Sequence, residues 1–204
     1  IKSDEYGRAD IDYEQCVSCG MCLVSCPFSA IVDKSQIFQT VLALKSDTPI
    51  YAAIAPSFVN QFGGAVTSAQ VRAALKAVGF EDMIEVAVGA DLCAIQEAED
   101  FLEEVPEKIP FMGTSCCPAW SVMAKKTFPE YANCISMALT PMVLTGRMIK
   151  KDHPDCKVVF IGPCAAKKLE ASRRSVRSDV DFVLTFEELD AMFDAREIDP
   201  ASFE

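Results

Sequence analysis

Several things are scarce in this sequence, and each shortage narrows the reading. There is one histidine, His153 in "KDHPD", which reads as an exposed turn residue and not as a ligand. There is one tryptophan, Trp120, expected to be a core anchor that shields its surroundings. No apolar run reaches the roughly 18 residues that a membrane span requires. Positive charge is short: 19 Lys and Arg stand against 30 Asp and Glu, a net charge of −11. A nucleic-acid partner needs a basic face, so that class is excluded. The acidic balance reads as solubility. Internal repeats, low-complexity tracts and a secretion signal are all missing. The expected compartment is therefore the cytoplasm, although a start at Ile1 leaves room for an upstream segment.

Cysteine, by contrast, is abundant. There are ten in 204 residues, four of them within residues 16–26 and two adjacent at 116–117. Close spacing in an acidic chain of intracellular character points to metal or redox sites rather than disulfides. Cys93, Cys134 and Cys156 belong to no motif and read as buried small hydrophobes. Neighbouring residues of extended backbone point to opposite sides, so Cys116 and Cys117 are not expected to grip one metal ion together.

From about Ile50 onward the pattern alternates between strands and helices. "IYAAIAP" (50–56), "MIEVAVG" (83–89), "PFMGTS" (110–115), "KVVFIGP" (157–163) and "DFVLT" (181–185) read as strands. Helices are expected over 66–80 behind Thr67 or Ser68, 90–105, 118–128 with Pro118 in the first turn, 139–151 behind Thr140, and 186–197 behind Thr185. "KKLEASRRSVRSD" (167–179) reads as a charged, exposed connection. Such alternation implies an α/β layer structure with a mostly parallel sheet. The unusual residues follow strands: Pro56 and Ser57, Gly89 to Asp91, Cys116 and Cys117, Pro163 and Cys164. Ligands of open α/β sheets sit beyond the carboxyl ends of the strands, so four strand ends are expected to share one site.

The N-terminal run "CVSCGMCLVSCP" (16–27) is C-x2-C-x2-C-x3-C-P, the bacterial ferredoxin pattern. Cys16, Cys19 and Cys22 suit three irons of one 4Fe–4S cube, while the fourth cysteine, Cys26, ligates the other cluster in two-cluster ferredoxins. A zinc knuckle is the alternative, disfavoured by the spacing and the trailing proline. No second run is present in the 204 residues.

Together, three features resemble the iron-only (FeFe) hydrogenase family. The ferredoxin-type run leads directly into an α/β region. "TSCCPAW" (114–120) is similar to the family's first active-site signature, and "GPCAAKKLE" (162–170) resembles the second. Gly162 before Pro163 suggests a less-studied branch. The resemblance implies a ferredoxin-like segment with α+β character, 1–45, and the first lobe of the H-cluster domain, 46–204. It further implies an H-cluster, a 4Fe–4S cube joined through a thiolate to a diiron unit with carbonyl, cyanide and azadithiolate ligands. Protons and dihydrogen would be the substrates, a ferredoxin-like carrier the electron partner, and maturation proteins the source of the diiron unit.

Carried over by motif, Cys117 and Cys164 would be two ligands of the cube and Cys116 the proton donor and acceptor. Lys167 would bond one cyanide, Pro56 and Ser57 would face the other, and Glu170 completes the second signature. A proton path would run from Cys116 through Glu97 and Ser136 to Asp100. Glu97 and Asp100 lie three apart, on one helix face. The family's third signature, Glu-x-Met-x-Cys-x-x-x-Cys, is missing, so the chain reads as a fragment of a longer protein. Two rivals accompany this reading: a non-catalytic iron–sulfur assembly relative and a dihydrogen-sensing relative. Cys116 and Lys167 argue for the enzyme.

Overall fold

The computed structural model describes residues 1–204. A short antiparallel ribbon, β1 (Lys2–Ser3) and β2 (Ala9–Asp10), precedes a single turn of helix, α1 (Met21–Val24). Helix α2 (Ile37–Leu44) buries Thr40 and Ala43 and packs on the main sheet. Then follow β3 (Ile50–Ile54), α3 (Ser68–Val78), β4 (Asp82–Glu85), α4 (Val86–Glu104), α5 (Pro118–Thr127) and α6 (Pro141–Asp152). The chain closes with β5 (Lys157–Gly162), α7 (Ala166–Ala171), β6 (Phe182–Thr185) and α8 (Phe186–Ala195).

β3 to β6 form one parallel sheet in the order β4-β3-β5-β6. The strands are nearly continuous apolar runs, as strands covered on both faces must be. Ile54, Val158, Val159, Ile161, Val183 and Leu184 are fully buried. α3 and α8 pack on each other over one face, and α6, backed by α4, covers β3 and β5 on the other. Each fully buried Leu or Ile contributes about 1.5–3 kcal/mol of apolar burial, so this core carries the fold.

Because β4 lies on one side of β3 and β5 on the other, the chain reverses direction across the sheet between β3 and β5. That is a topological switch point, where open α/β sheets leave a crevice beyond the strand ends. Pro56 and Ser57 emerge there from β3, and Pro163 and Cys164 from β5.

Local chemistry sets the boundaries. Thr67 and Gln70 form a reciprocal capping box at the start of α3, and Thr185 with Glu188 does the same for α8. Thr140 caps α6 as expected, and Gly79 ends α3 at φ +121°, a conformation open to glycine.

Three expectations are corrected. The strand over 83–89 stops at Glu85, and Val86 begins α4, so Gly89 to Asp91 lie inside a helix. The reason is a close approach of helices: a Cβ on Gly89 would stand 2.2 Å from the Thr145 hydroxyl of α6. The stretch 110–115 is no strand of the sheet; Gly113 makes one isolated parallel bridge to Ile135, and Phe111 packs on Tyr131 at 5.4 Å between ring centres. Third, 167–179 is an exposed connection only in part, over residues 172–175, 177 and 178. Its first residues form α7, Glu170 is 2 % exposed, and Val176 is buried as well.

Candidate functional site

Cys116 and Cys117 lie on a loop and not at a strand end. Cys117 is the residue before α5, whose first position is Pro118, where a missing N–H costs nothing. Both thiols are exposed, and Cys164, two residues past β5, is half-buried. The contact between the two signatures is made by Lys167. Its ammonium donates to the Cys116 carbonyl at 2.8 Å and to Glu170 Oε2 at 2.6 Å. Glu170 in turn accepts at Oε1 from the Thr140 hydroxyl at 2.8 Å. An ammonium has three N–H groups, so one is left without a protein partner. Glu170 holds the lysine from a nearly buried position, the lysine side chain 13 % and the glutamate side chain 3 % exposed.

Trp120 is 42 % exposed and is not the core anchor expected of it. Its indole N–H donates to the Thr114 carbonyl at 3.0 Å, which ties α5 back to the loop that carries the two thiols.

A cavity of about 190 Å³ is lined by Cys116, Glu97, Cys93, Thr114, Leu139 and Pro141, among others. It brings together two residues of the suggested proton path, Cys116 and Glu97. Ser136 is buried and borders a second cavity of about 200 Å³, with Leu139 a wall of both. Its hydroxyl accepts from the Ala138 amide at 3.2 Å. Asp100 lies outside both linings and accepts from Gln96 Nε2 at 2.8 Å. Pro56 and Ser57 are exposed on a short 3-10 turn.

Cys93, with no motif to announce it, also faces the first cavity. Its thiol donates to the Leu139 carbonyl at 3.0 Å. Burial pushes this thiol up, and the nearby Glu97 and Cys116 add to the effect. Cys134 and Cys156 are buried as expected. His153 ends α6 at the surface, stacked on Tyr51 at 4.5 Å.

Cys16, Cys19 and Cys22 surround a third cavity of about 580 Å³, closed on its far side by Ala165, Lys168 and Leu169. Left-handed backbone at Ser18 and Gly20, φ 57° and 78°, wraps the chain around it. The Ser18 amide donates to Cys16 Sγ at 3.4 Å. Cys26 stands outside this cavity; N–H groups of Ala30 and then Phe28 hold its thiol below the usual range. Nowhere do three His, Cys, Asp or Glu side chains converge as for a single ion. Thiols spaced around a cavity suit a four-iron cube, in which each thiolate binds a different iron, better than a tetrahedral zinc ion.

The comparisons agree with this geometry. Residues 9–32 match the 4Fe-4S binding domain model, and residues 48–204 match the iron only hydrogenase large subunit, C-terminal domain. Iron hydrogenase 1 of Clostridium pasteurianum is 31 % identical over 199 residues, which cover 87 % of this chain and 35 % of that protein. A cytosolic Fe-S cluster assembly factor of Kluyveromyces lactis is 37 % identical over 101 residues, 50 % of this chain and 22 % of that one. An apo FeFe-hydrogenase structure from Chlamydomonas reinhardtii superposes with a TM-score of 0.75 at 26 % identity, covering 84 % of this chain and 50 % of its own. The chain thus spans about a third of these hydrogenase and half of these structural relatives, or less. A parallel sheet with a thiol-bearing switch point, a thiol-lined cavity beside it and a family model covering residues 48–204 lead to one conclusion: the chain belongs to the iron-only hydrogenase large-subunit family.

Proposed function

We propose that this chain is part of an iron-only hydrogenase that interconverts protons and electrons with dihydrogen. The observation that carries the reading is the 2.8 Å bond from Lys167 to the Cys116 carbonyl, which joins the two signatures at one crevice. Cys117 and Cys164 would hold the cube of an H-cluster there, with further ligands from outside these 204 residues. When bound, the H-cluster supplies the redox chemistry at its diiron unit.

The chain's own residues do the rest. The third N–H of Lys167 suits an anionic cyanide in a sheltered pocket, as a charge-assisted donor. Glu170 and Thr140 aim that lysine, and Pro56 and Ser57 would face the other cyanide. Cys116 carries protons between the crevice and Glu97, its neighbour across the small cavity. Ser136 and Asp100 continue the path outward in this reading, with waters bridging the gaps. Cys16, Cys19 and Cys22 would hold a 4Fe–4S cluster that supplies one-electron transfer toward a ferredoxin-like carrier, and Cys26 would serve a second cluster. The division into an iron–sulfur segment, 1–45, and a catalytic lobe, 46–204, belongs to the same proposal, as does delivery of the diiron unit by maturation proteins.

Infrared spectroscopy of the complete, matured protein tests it. Carbonyl and cyanide stretching bands are expected. A matured protein that binds iron and sulfide but lacks those bands sinks the reading. It would favour the second one, an iron–sulfur assembly factor, which the Kluyveromyces lactis relative supports over half the chain.

A further inference from the structure

Two adjacent lysines of α7 serve two different places. Lys167 turns to the Cys116 carbonyl. Lys168 turns the other way and lines the cavity of Cys16, Cys19 and Cys22. There it pairs with Asp33, which lines the same cavity, and meets both oxygens of Glu188 at 2.8 Å. The three side chains are only 11 %, 25 % and 12 % exposed. Glu188 is itself fixed, because it closes the capping box of α8 by accepting from the Thr185 amide at 2.8 Å. Lys168 therefore joins a rigid helix start to the iron–sulfur segment. That segment needs such ties: none of residues 1–39 is buried. Its other cationic tie, Lys126 to the Glu14 and Cys16 carbonyls, lies at the exposed surface, where water and salt screen its charge.

We propose that the Lys168–Asp33 pair sets the reduction potential of the 4Fe–4S cluster held by Cys16, Cys19 and Cys22, and seats that cluster on α7, the helix that follows Cys164. A cube takes up one electron and becomes more negative by one charge. A cation in the cavity wall stabilises the reduced form, and an anion there opposes it. The two partners thus have opposite signs of effect on one equilibrium. Lys168 is a positioning residue that acts through the surroundings of the cluster. The inference rests on the 4Fe–4S reading of residues 9–32 and not on dihydrogen chemistry.

The test is a redox titration of the full-length protein carrying its clusters, with dithionite as reductant and electron paramagnetic resonance as readout. Lys168→Met is expected to lower the potential of one cluster, by about tenfold in its reduction equilibrium, ~59 mV for one electron. Asp33→Asn, which keeps the hydrogen bond and removes the anion, is expected to raise the same potential. Lys168→Arg should titrate like the unaltered protein. Shifts of equal sign in Lys168→Met and Asp33→Asn, or no shift in either with iron content unchanged, overturn the proposal. If Lys168→Met fails to retain iron, Asp33→Asn decides, and an unchanged potential there overturns it. Because this signal does not depend on the diiron unit, a protein without carbonyl bands can still pass or fail.

Discussion

Glu170 is a nearly fully buried carboxylate, and its two partners explain why it is tolerated. Lys167 neutralises it at 2.6 Å and Thr140 bonds its other oxygen. Removing one member of such a pair leaves a buried charge alone, at a cost of about 3–5 kcal/mol. Glu170→Ala is therefore expected to lose stability of that order in urea denaturation, and Glu170→Gln less, since the amide oxygen still accepts from Lys167 while its NH2 can donate to the Thr140 hydroxyl. The resemblance singled out Glu170, but only the fold shows that it bonds Lys167 and Thr140. Two thiols beside each other are also separable at this scale. Cys116→Ala should abolish most turnover while iron is retained, and Cys117→Ala should lose the cluster; wild-type-like activity in the first variant refutes the proton role.

Buried thiols make a pH prediction as well. Burial raises the Cys156 thiol, with Lys150 opposing and Asp181 assisting. The folded state then keeps a proton that the unfolded chain loses near a thiol's ordinary pKa of about 8.5. Stability from this group is complete below that pH and declines as pH rises toward the raised folded value. Denaturation midpoints measured between neutral and alkaline pH should fall less steeply in Cys156→Ala; an identical slope refutes it.

At the scale of elements, the helices were legible wherever caps and periodicity agreed. α3, α6 and α8 begin behind the expected Thr67, Thr140 and Thr185. Thr185→Ala is expected to cost about 1 kcal/mol, and more where Glu188 is left without its box, measured by thermal or urea unfolding. The misread elements share a cause: tertiary contact overrode local pattern. Gly89 looks like a strand terminator, yet it sits in α4 because α6 presses there. Gly89→Ala would place its Cβ 2.2 Å from Thr145 Oγ1 and 3.0 Å from the Pro141 carbonyl. Destabilisation of about 1–3 kcal/mol is expected. Thr145→Ala, which deletes a buried hydroxyl that has no partner, should recover part of it in the double variant. Likewise "PFMGTS" has strand composition, but the four strands of the main sheet pair with one another without it, and its Phe111 packs on Tyr131.

Across the whole molecule, stability is unevenly distributed. The 31 residues of the main core lie between Ala43 and Phe193, and residues 1–42 contribute none. Iron chelation should therefore expose residues 1–35 to proteolysis while the α/β lobe stays resistant, because metal binding supplies the folding energy that this segment lacks. Equal protease sensitivity of both parts, or of neither, would refute the uneven distribution.

The sequence by itself determined the class of fold, the cysteine run and the two signatures, since periodicity and ligand spacing are local properties of the chain. It also determined the residue types that chemistry at the crevice demands. Only the tertiary structure decided which of them meet. It brought Cys116 and Glu97 to one cavity and put Ser136 on another, sent Lys167 and Lys168 to different thiol sites, and turned Glu170 inward. Neighbours in sequence were separated and distant residues joined because helix rotation and sheet order, set by burial of the whole core, govern where each side chain points.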